Sequence, residues 1–502
     1  MPGAVFADTG ASSKVTGTII VHNAAELAAL GGQDIEGTVE LAGDIDMGNV
    51  PREPIKSLTG TFEGNGYTIS NLNISSDGSN GGYLGLIAKL SGDVQDLQIK
   101  TMTISATSKS KVCAGAIAGI INSSSANIKN CNVDVTINKE LDNINNCIGG
   151  IVGSTDSNSD YVVTINNVFS SVNIENTGYI GGLIGCAQYI KEVHISNSAV
   201  IGSITKKGYS GGSGGIIGWL GNTSPVVAEN VYFGGNITGS GTCGFAYNKT
   251  TNSASAIRAE KVYYNKGSSS WSSLEALSKS YGYLTGTIEG KSTDELKGLT
   301  LTGFAKSEAF GEYPVPAWLT KLADKEHTVT VKAADAGSVT LTKDNKDTNM
   351  DVSSGGVFTA VISDGIYTYT AVPKEGVAKD TATGTLIVGK TDKEMTITLP
   401  YKVPDTVITL EPANADLKVY KGTDANGELI YAESADNGSY TYALKEGDYY
   451  YKAEAEDYET AAGTFKVPVE NSSISVKLTA LPKYEVTFDV TCGDKTPEIR
   501  VF

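Results

Sequence analysis

The chain has 502 residues, with 39 basic against 56 acidic side chains and a net charge of −17. That balance repels nucleic acid and anionic lipid, so neither is an expected partner. No run approaches the roughly eighteen apolar residues of a membrane helix, so no membrane span is expected in this fragment.

The start, MPGAVFADTG, reads as the last part of a secretory signal, with Val5 and Ala7 at the −3 and −1 positions of a cleavage site. Asn23-Ala24-Ala25-Glu26 follows, a capping-box pattern with Asn in place of Ser or Thr. It predicts two helical turns from Ala24 to Leu30, stopped by Gly31-Gly32, with Leu27 and Leu30 laid on whatever follows.

A short phrase then recurs: LGLIA at 84–88, GAIAG at 115–119, GGIVG at 149–153, GGLIG at 181–185, GGIIG at 214–218 and CGFAY at 243–247. Successive starts differ by 31, 34, 32, 33 and 29 residues. A period near thirty, carried by glycines around one aliphatic, is the signature of a solenoid. A second row runs in phase, in triplets ending at Asn71, Asp96, Asn130, Asn167, Asn197, Asn230 and Lys261. Seven residues after four of these lie Ile137, Ile174, Ile204 and Ile237. Short β-branched runs fill the intervals and no helical period appears. The expected fold is all-β: a right-handed parallel β-helix solenoid with a short N-terminal helical cap. Its asparagines would stack along the axis and occupy left-handed bends.

The GG[IL][IV]G phrase followed by I-x-N resembles the GLUG motif of bacterial surface proteins. The opening NAAELAALG, GTVELAGDIDMGN and PIKSLTGTFEGNGYTISNLNI is similar to the start of GLUG-type β-helix regions. The resemblance spans about residues 16–320 and implies architecture and a secreted, bacterial cell-surface address rather than an activity.

At the far end SLEALSKS at 273–280 and STDELKGL at 292–299 read as short helical pieces, and Phe304, Phe310 and Trp318 as a seal over the last repeat. From Glu326 a different repeat begins. VFTAVISDGIYTYTA at 357–371 aligns with SYTYALKEGDYYYKA at 439–453, and the opening strands TVTV, TVIT and EVTF recur at 328, 406 and 485. These predict small antiparallel β-sandwich modules, resembling PEGA-like and carboxypeptidase-regulatory-like domains. The expected organisation is a signal-peptide remnant at 1–7, a capped GLUG-type β-helix at 8–325, modules at 326–402 and 403–482, and the truncated start of a third at 483–502. The third copy stops short, so the chain reads as a piece of a longer protein.

Cys113 and Cys147 hold equivalent places two residues before the phrase glycines of adjacent repeats. Neighbours about 4.8 Å apart can bridge in principle. In-register parallel pairs have poor geometry for it, and a column of small buried thiols is the favoured reading.

Chemistry is sparse. His22, His194 and His327 have no partner arranged for nucleophilic catalysis. His194 reads as a solvated strand position. Asp44 and Asp46 can offer carboxylates to calcium, though a strand end entering a turn is the simpler reading. Asp156 and Asp160 read as a polar loop and Lys206-Lys207 as a turn. Trp219, Tyr232, Tyr263 and Tyr264 are candidate sugar platforms, with core packing preferred; Tyr449, Tyr450 and Tyr451 should alternate across a sandwich strand.

No residue is therefore assigned a catalytic, cofactor-binding or metal-binding role, and no cofactor is expected. The leading reading is a non-catalytic, adhesin-like surface protein that binds a host or neighbouring-cell glycan or protein. The alternative is a carbohydrate-active β-helix enzyme, a polysaccharide lyase or glycosidase, or its accessory region. Glycosidases need two facing carboxylates roughly 5–9 Å apart, and no arginine lies between Glu53 and Ile257.

Overall fold

The computed structural model describes residues 14–485 and 487, apart from 77–81, 107–109, 123, 138–142, 156–158, 209–210, 222–223, 248–255, 268–273, 279–282, 323–325, 378, 401–404, 446 and 468–472. The expected signal remnant, most of the third module and Asp156 lie outside the described residues. Two compact units result, one of Met1–Ala371 with Ala382–Thr398 and the other of Val372–Thr381 with Leu399–Phe502.

In the first unit, the repeats build three sheets, of sixteen, seven and six strands among the described residues, whose strands pair in parallel. Each repeat pairs with the next in sequence order. Asp93–Ala106 pairs with Ala126–Ile137, Phe169–Asn176 follows, then Ile190–Lys206 and Asn236–Thr238. One aliphatic column runs through this sheet in strict register: Ile74, Ile104, Ile137, Ile174, Ile204, Ile237. All six are buried. Leu86, Ile117, Ile151, Leu183, Ile216 and Phe245, the central residues of the glycine phrases, are buried as well. Their backbones are linked in series, Ile117 N to Ile151 O, Ile151 N to Leu183 O, Leu183 N to Ile216 O and Ile216 N to Phe245 O.

The phrase needs its second glycine because a neighbour already occupies the place of a side chain. A Cβ at Gly150, Gly182 or Gly215 would lie 2.1, 2.2 or 2.3 Å from the carbonyl oxygen of the corresponding glycine one repeat on. It would also strike Val172, Val200 or the Phe233 ring, packed from the opposite sheet. Glycine is thus selected by the closeness of the sheets, not by turn formation.

The Asn row is a row of left-handed bends. Asn71, Asp96, Asn130, Asn167, Asn197, Asn230 and Lys261 all have φ between 48° and 56°. Asparagine and aspartate tolerate this backbone because a short polar side chain can bond locally. Here the bond runs between repeats. Asn71 Nδ2 donates to Asp46 Oδ1, Asn130 Nδ2 to Asp96 Oδ1, Asn167 Nδ2 to Asn130 Oδ1 and Asn230 Nδ2 to Asn197 Oδ1, at 2.8–3.2 Å.

The N-terminal helix spans Ala24–Ala29, and Asn23 Oδ1 accepts from the Ala25 and Glu26 amides. Glu26 completes the cap by accepting from the His22 amide rather than that of Asn23. Leu27 and Leu30 are buried.

Two expectations at the far end are corrected. The segment 274–278 is not helical: Gly244 N donates to Glu275 O, Phe245 N donates to Ala276 O, and Leu277 bridges Ala246 in parallel. It is a further copy of the phrase with its glycines replaced. The second correction concerns Phe304, Phe310 and Trp318, which do not seal the last repeat. After the helix Thr293–Lys297, with its Ser292–Glu295 capping box, the chain turns back along the side of the stack. There Phe304, Phe310, Tyr313, Val315, Trp318 and Leu319 cover Phe169, Ala199 and Tyr232. Trp318 Nε1 donates to Asn167 O at 2.9 Å.

That path returns the chain to the early repeats, where the first module packs. Its two four-stranded sheets bury Val329, Val331 and Phe358 from one side and Val339, Leu341, Tyr367 and Leu386 from the other. In the second unit, the module repeats this plan around Ile408, Val419, Tyr442, Tyr449 and Val476. In both modules the opening strand is antiparallel to a middle strand and parallel to the last. Tyr449 is buried, Tyr451 packs against the same core, and Tyr450 sits on the opposite face beside Tyr420.

Candidate binding face

Beyond each left-handed Asn, strand alternation sends one set of residues inward to the Ile column and the other outward. The outward set is in register across four repeats: Thr136 beside Asn173, Asn173 beside Ser203, Ser203 beside Asn236. Asp134, Ser171 and Ile201 form the neighbouring row. All of these but Thr136 line an open groove of about 550 Å³, together with Val172, Gly202, Gly234, Gly235, Asn265, Thr293 and Tyr313. Small residues keep its floor low. Gly202, at φ +98°, leaves no room for a Cβ, which would come 2.1 Å from Val172 O.

The returning segment supplies one wall. Tyr313 donates its hydroxyl to Gly234 O at 2.9 Å, and its ring lies 6.3 Å from that of Tyr232 at an interplanar angle of 18°. Lys297 Nζ sits 5.3 Å from the Tyr313 ring centroid. Ser203 Oγ donates to Asn173 Oδ1 at 3.1 Å, and Asn265 Nδ2 donates to Thr293 Oγ1 at 3.1 Å, so both pairs are pre-oriented. Asp134 is the one carboxylate among the lining residues. The groove offers amides, hydroxyls and an aromatic edge, a set suited to hydrogen-bonding a polar neutral ligand.

The opposite side of the repeats carries an aromatic and sulfur cluster. Tyr83, Cys113, Cys147 and Tyr179 follow one another in register, and Cys186 and Trp219 face them from the next sheet. Cys147 is bridged to Cys186, with Cα atoms 5.3 Å apart, and not to its in-register neighbour Cys113. Cys113 is buried and takes no part in this bridge, Cys131 and Cys243 are buried free thiols, and burial raises the thiol pKa of Cys243 to about 12. Of the two cysteines expected in a thiol column, Cys113 remains outside the bridge and Cys147 is bridged across to Cys186. The rings of Tyr179 and Trp219 stack 5.1 Å apart. Tyr232 is wholly buried and hydrogen-bonds Pro314 O, and Tyr263 lies under Lys291.

The remaining polar residues separate into local roles. His194 is half-exposed and contacts Glu192, which also pairs with Arg258. His22 contacts Glu26, and His327 is buried in the first module. Asp46 accepts from Gly48 N and Asn71 Nδ2, and Asp44 from Thr68 N and Lys390 Nζ, so both are engaged in the stack and its packing. Lys206 departs from the expected turn. It ends a strand, is buried, and donates to Thr177 O and Lys207 O. Among the described residues, no group of three His, Cys, Asp or Glu side chains converges as for a metal, and no helix is long and apolar enough to cross a membrane.

No family model matches the chain. Over 107 residues it is 35% identical to halomucin of Haloquadratum walsbyi, a stretch that is 21% of this chain and 1% of that protein. Among solved structures, a putative immunoglobulin A1 protease from Bacteroides ovatus covers 60% of the chain and 92% of its own length at 18% identity and a TM-score of 0.43. The Streptococcal ancillary pilin covers 32% of the chain and 64% of its own, at 16% identity and a TM-score of 0.17. At such scores these likenesses assign no function.

Proposed function

We propose that the parallel sheets wind as a right-handed β-helix of the GLUG-motif surface-protein type, followed by PEGA-like or carboxypeptidase-regulatory-like modules. In this reading the protein is a secreted bacterial cell-surface, adhesin-like molecule without catalytic activity in this region. Its ligand is a host or neighbouring-cell glycan, held in the groove lined by Asn173, Ser203, Asn236 and Tyr313.

The groove carries the proposal. Its lining is registered, amide- and hydroxyl-rich, and contains a single carboxylate, whereas hydrolysis of a glycosidic bond uses two. Long regular faces of stacked repeats bind extended polymers through many weak contacts. Glycan-array binding of the full chain tests the reading. The double substitution Asn173→Ala/Asn236→Ala is expected to lower binding at least tenfold without shifting the thermal melt, and His194→Ala to leave binding unchanged. Reproducible cleavage of an array glycan that disappears in Asp134→Asn would replace this reading with the enzymatic one.

A further inference from the structure

Where the first module packs on the early repeats, one lysine is aimed at one asparagine. Asn65 sits at the left-handed tip of the turn after Thr61–Glu63, and its backbone carbonyl accepts from Lys390 N at 2.7 Å. The strand Lys393–Thr396 of the module brings Lys393 Nζ to 2.8 Å from Asn65 Oδ1. Two carboxylates flank the pair: Glu40 Oε1 at 3.2 Å and Glu63 Oε2 at 3.8 Å from Nζ. The Lys393, Glu40 and Glu63 side chains are only 19%, 17% and 11% exposed, and Asn65 is 2% exposed.

The geometry points to a modification site: an intramolecular isopeptide bond between Lys393 Nζ and Asn65 Cγ, which ties the first sandwich module to the repeat block. Every group the reaction needs is present. Lys393 transfers a proton to the Glu63 carboxylate, and the neutral amine adds to Cγ through the end of its flexible side chain. The Glu63 proton then passes to the amide nitrogen. The Cγ–Nδ2 bond breaks and ammonia leaves, Nζ gives its second proton to the Glu63 carboxylate, and that proton departs with the ammonia as ammonium, leaving the neutral Nζ–Cγ amide. No oxidant or further reactant is consumed.

Burial supports Glu63 in this role, because desolvation raises its pKa toward a group able to hold and return a proton. Glu63 is also held in place, its Oε1 accepting from Asn65 N at 2.9 Å and its Oε2 from Gln95 Nε2 at 2.7 Å. Glu40 Oε1 accepts from Asn65 Nδ2 at 3.1 Å and orients the leaving nitrogen. Enforced proximity of nucleophile and amide replaces an external catalyst.

Intact mass spectrometry of the denatured, reduced full chain is the test. The mass expected is that of the sequence less one ammonia, and a tryptic digest should contain one branched peptide joining the segments around Asn65 and Lys393. Asn65→Ala, Lys393→Arg and Glu63→Gln should each restore the unmodified mass and linear peptides. A wild-type chain at full sequence mass, with both linear peptides recovered, overturns the inference. An ammonia loss that survives Lys393→Arg also overturns it, since Asn65-Gly66 can lose ammonia by closing a succinimide on its own.

Discussion

Asn167 donates its side-chain amide to Asn130 Oδ1 at 3.0 Å, and both residues hold a left-handed backbone, with φ of 56° and 50°. One residue type thus satisfies two demands of the bend, a tolerable positive φ and a bond to the neighbouring repeat. The two demands can be separated. Asn167→Gly keeps the backbone and loses the bond, at an expected cost of about 0.5–1.5 kcal/mol. Asn167→Ala loses the bond and adds the left-handed penalty of about 1–2 kcal/mol. Urea midpoints measure the difference, and equal losses would remove the backbone half of the argument.

The repeat was legible because stacking imposes the same constraint at every turn of the chain. A left-handed bend calls for Asn again and again, and a tight sheet contact calls for Gly150, Gly182 and Gly215. The copy at 274–278 carries no signature in the sequence because, at the end of the series, Leu274, Glu275 and Ser278 stand at the glycine positions and Ala276 at the central aliphatic one. The path of 292–322 was illegible for another reason. Phe304, Phe310 and Trp318 carry the same apolar signature whether they cover an open end or the flank occupied by Phe169 and Tyr232. The groove was hidden because Asn173, Ser203 and Asn236 look like any solvated strand face until register aligns them. Lys393 and Asn65 lie too far apart in sequence for any local pattern to connect them.

The central phrase residue should be costly to remove. Leu183 is fully buried between Ile151 and Ile216. Leu183→Ala should lose on the order of 2–5 kcal/mol from the repeat block, through lost transfer energy and the cavity left behind. Hydrogen exchange of the flanking strands reports the loss locally, and an unchanged protection pattern would mean the column does not hold the stack together.

Peptide mapping without reduction should recover a disulfide joining Cys147 to Cys186, which spans 39 positions of chain. Cys113 should be recovered unbridged. Cys113 is in register with Cys147, but Cys186 reaches it across the corner between two sheets. In the chain-entropy account, closing a loop of this length stabilises the fold by about 4 kcal/mol. Cys186→Ser should therefore lower the melting temperature clearly, whereas Cys113→Ser should change it little. A map linking Cys113 to Cys147 would overturn the bridge between the two sheets.

Glu63 and Asp96 predict a specific pH dependence. Burial raises the pKa of both carboxyls, and the Asp96 charge raises that of Glu63 further, with Lys393 opposing in part at each. An acid whose pKa is higher folded than unfolded binds its proton more tightly in the folded state. Its contribution to stability is greatest below the unfolded value, about 4. It declines as pH rises to the raised folded value and is flat above it. Glu63→Gln should therefore flatten the fall in stability between mildly acidic and neutral pH while leaving the acid limb of the lowered carboxyls Asp34 and Asp46 intact. Denaturant midpoints taken across this range measure the slope. A wild-type slope retained in Glu63→Gln would mean that Glu63 is hydrated rather than enclosed between Gln95 and the first module.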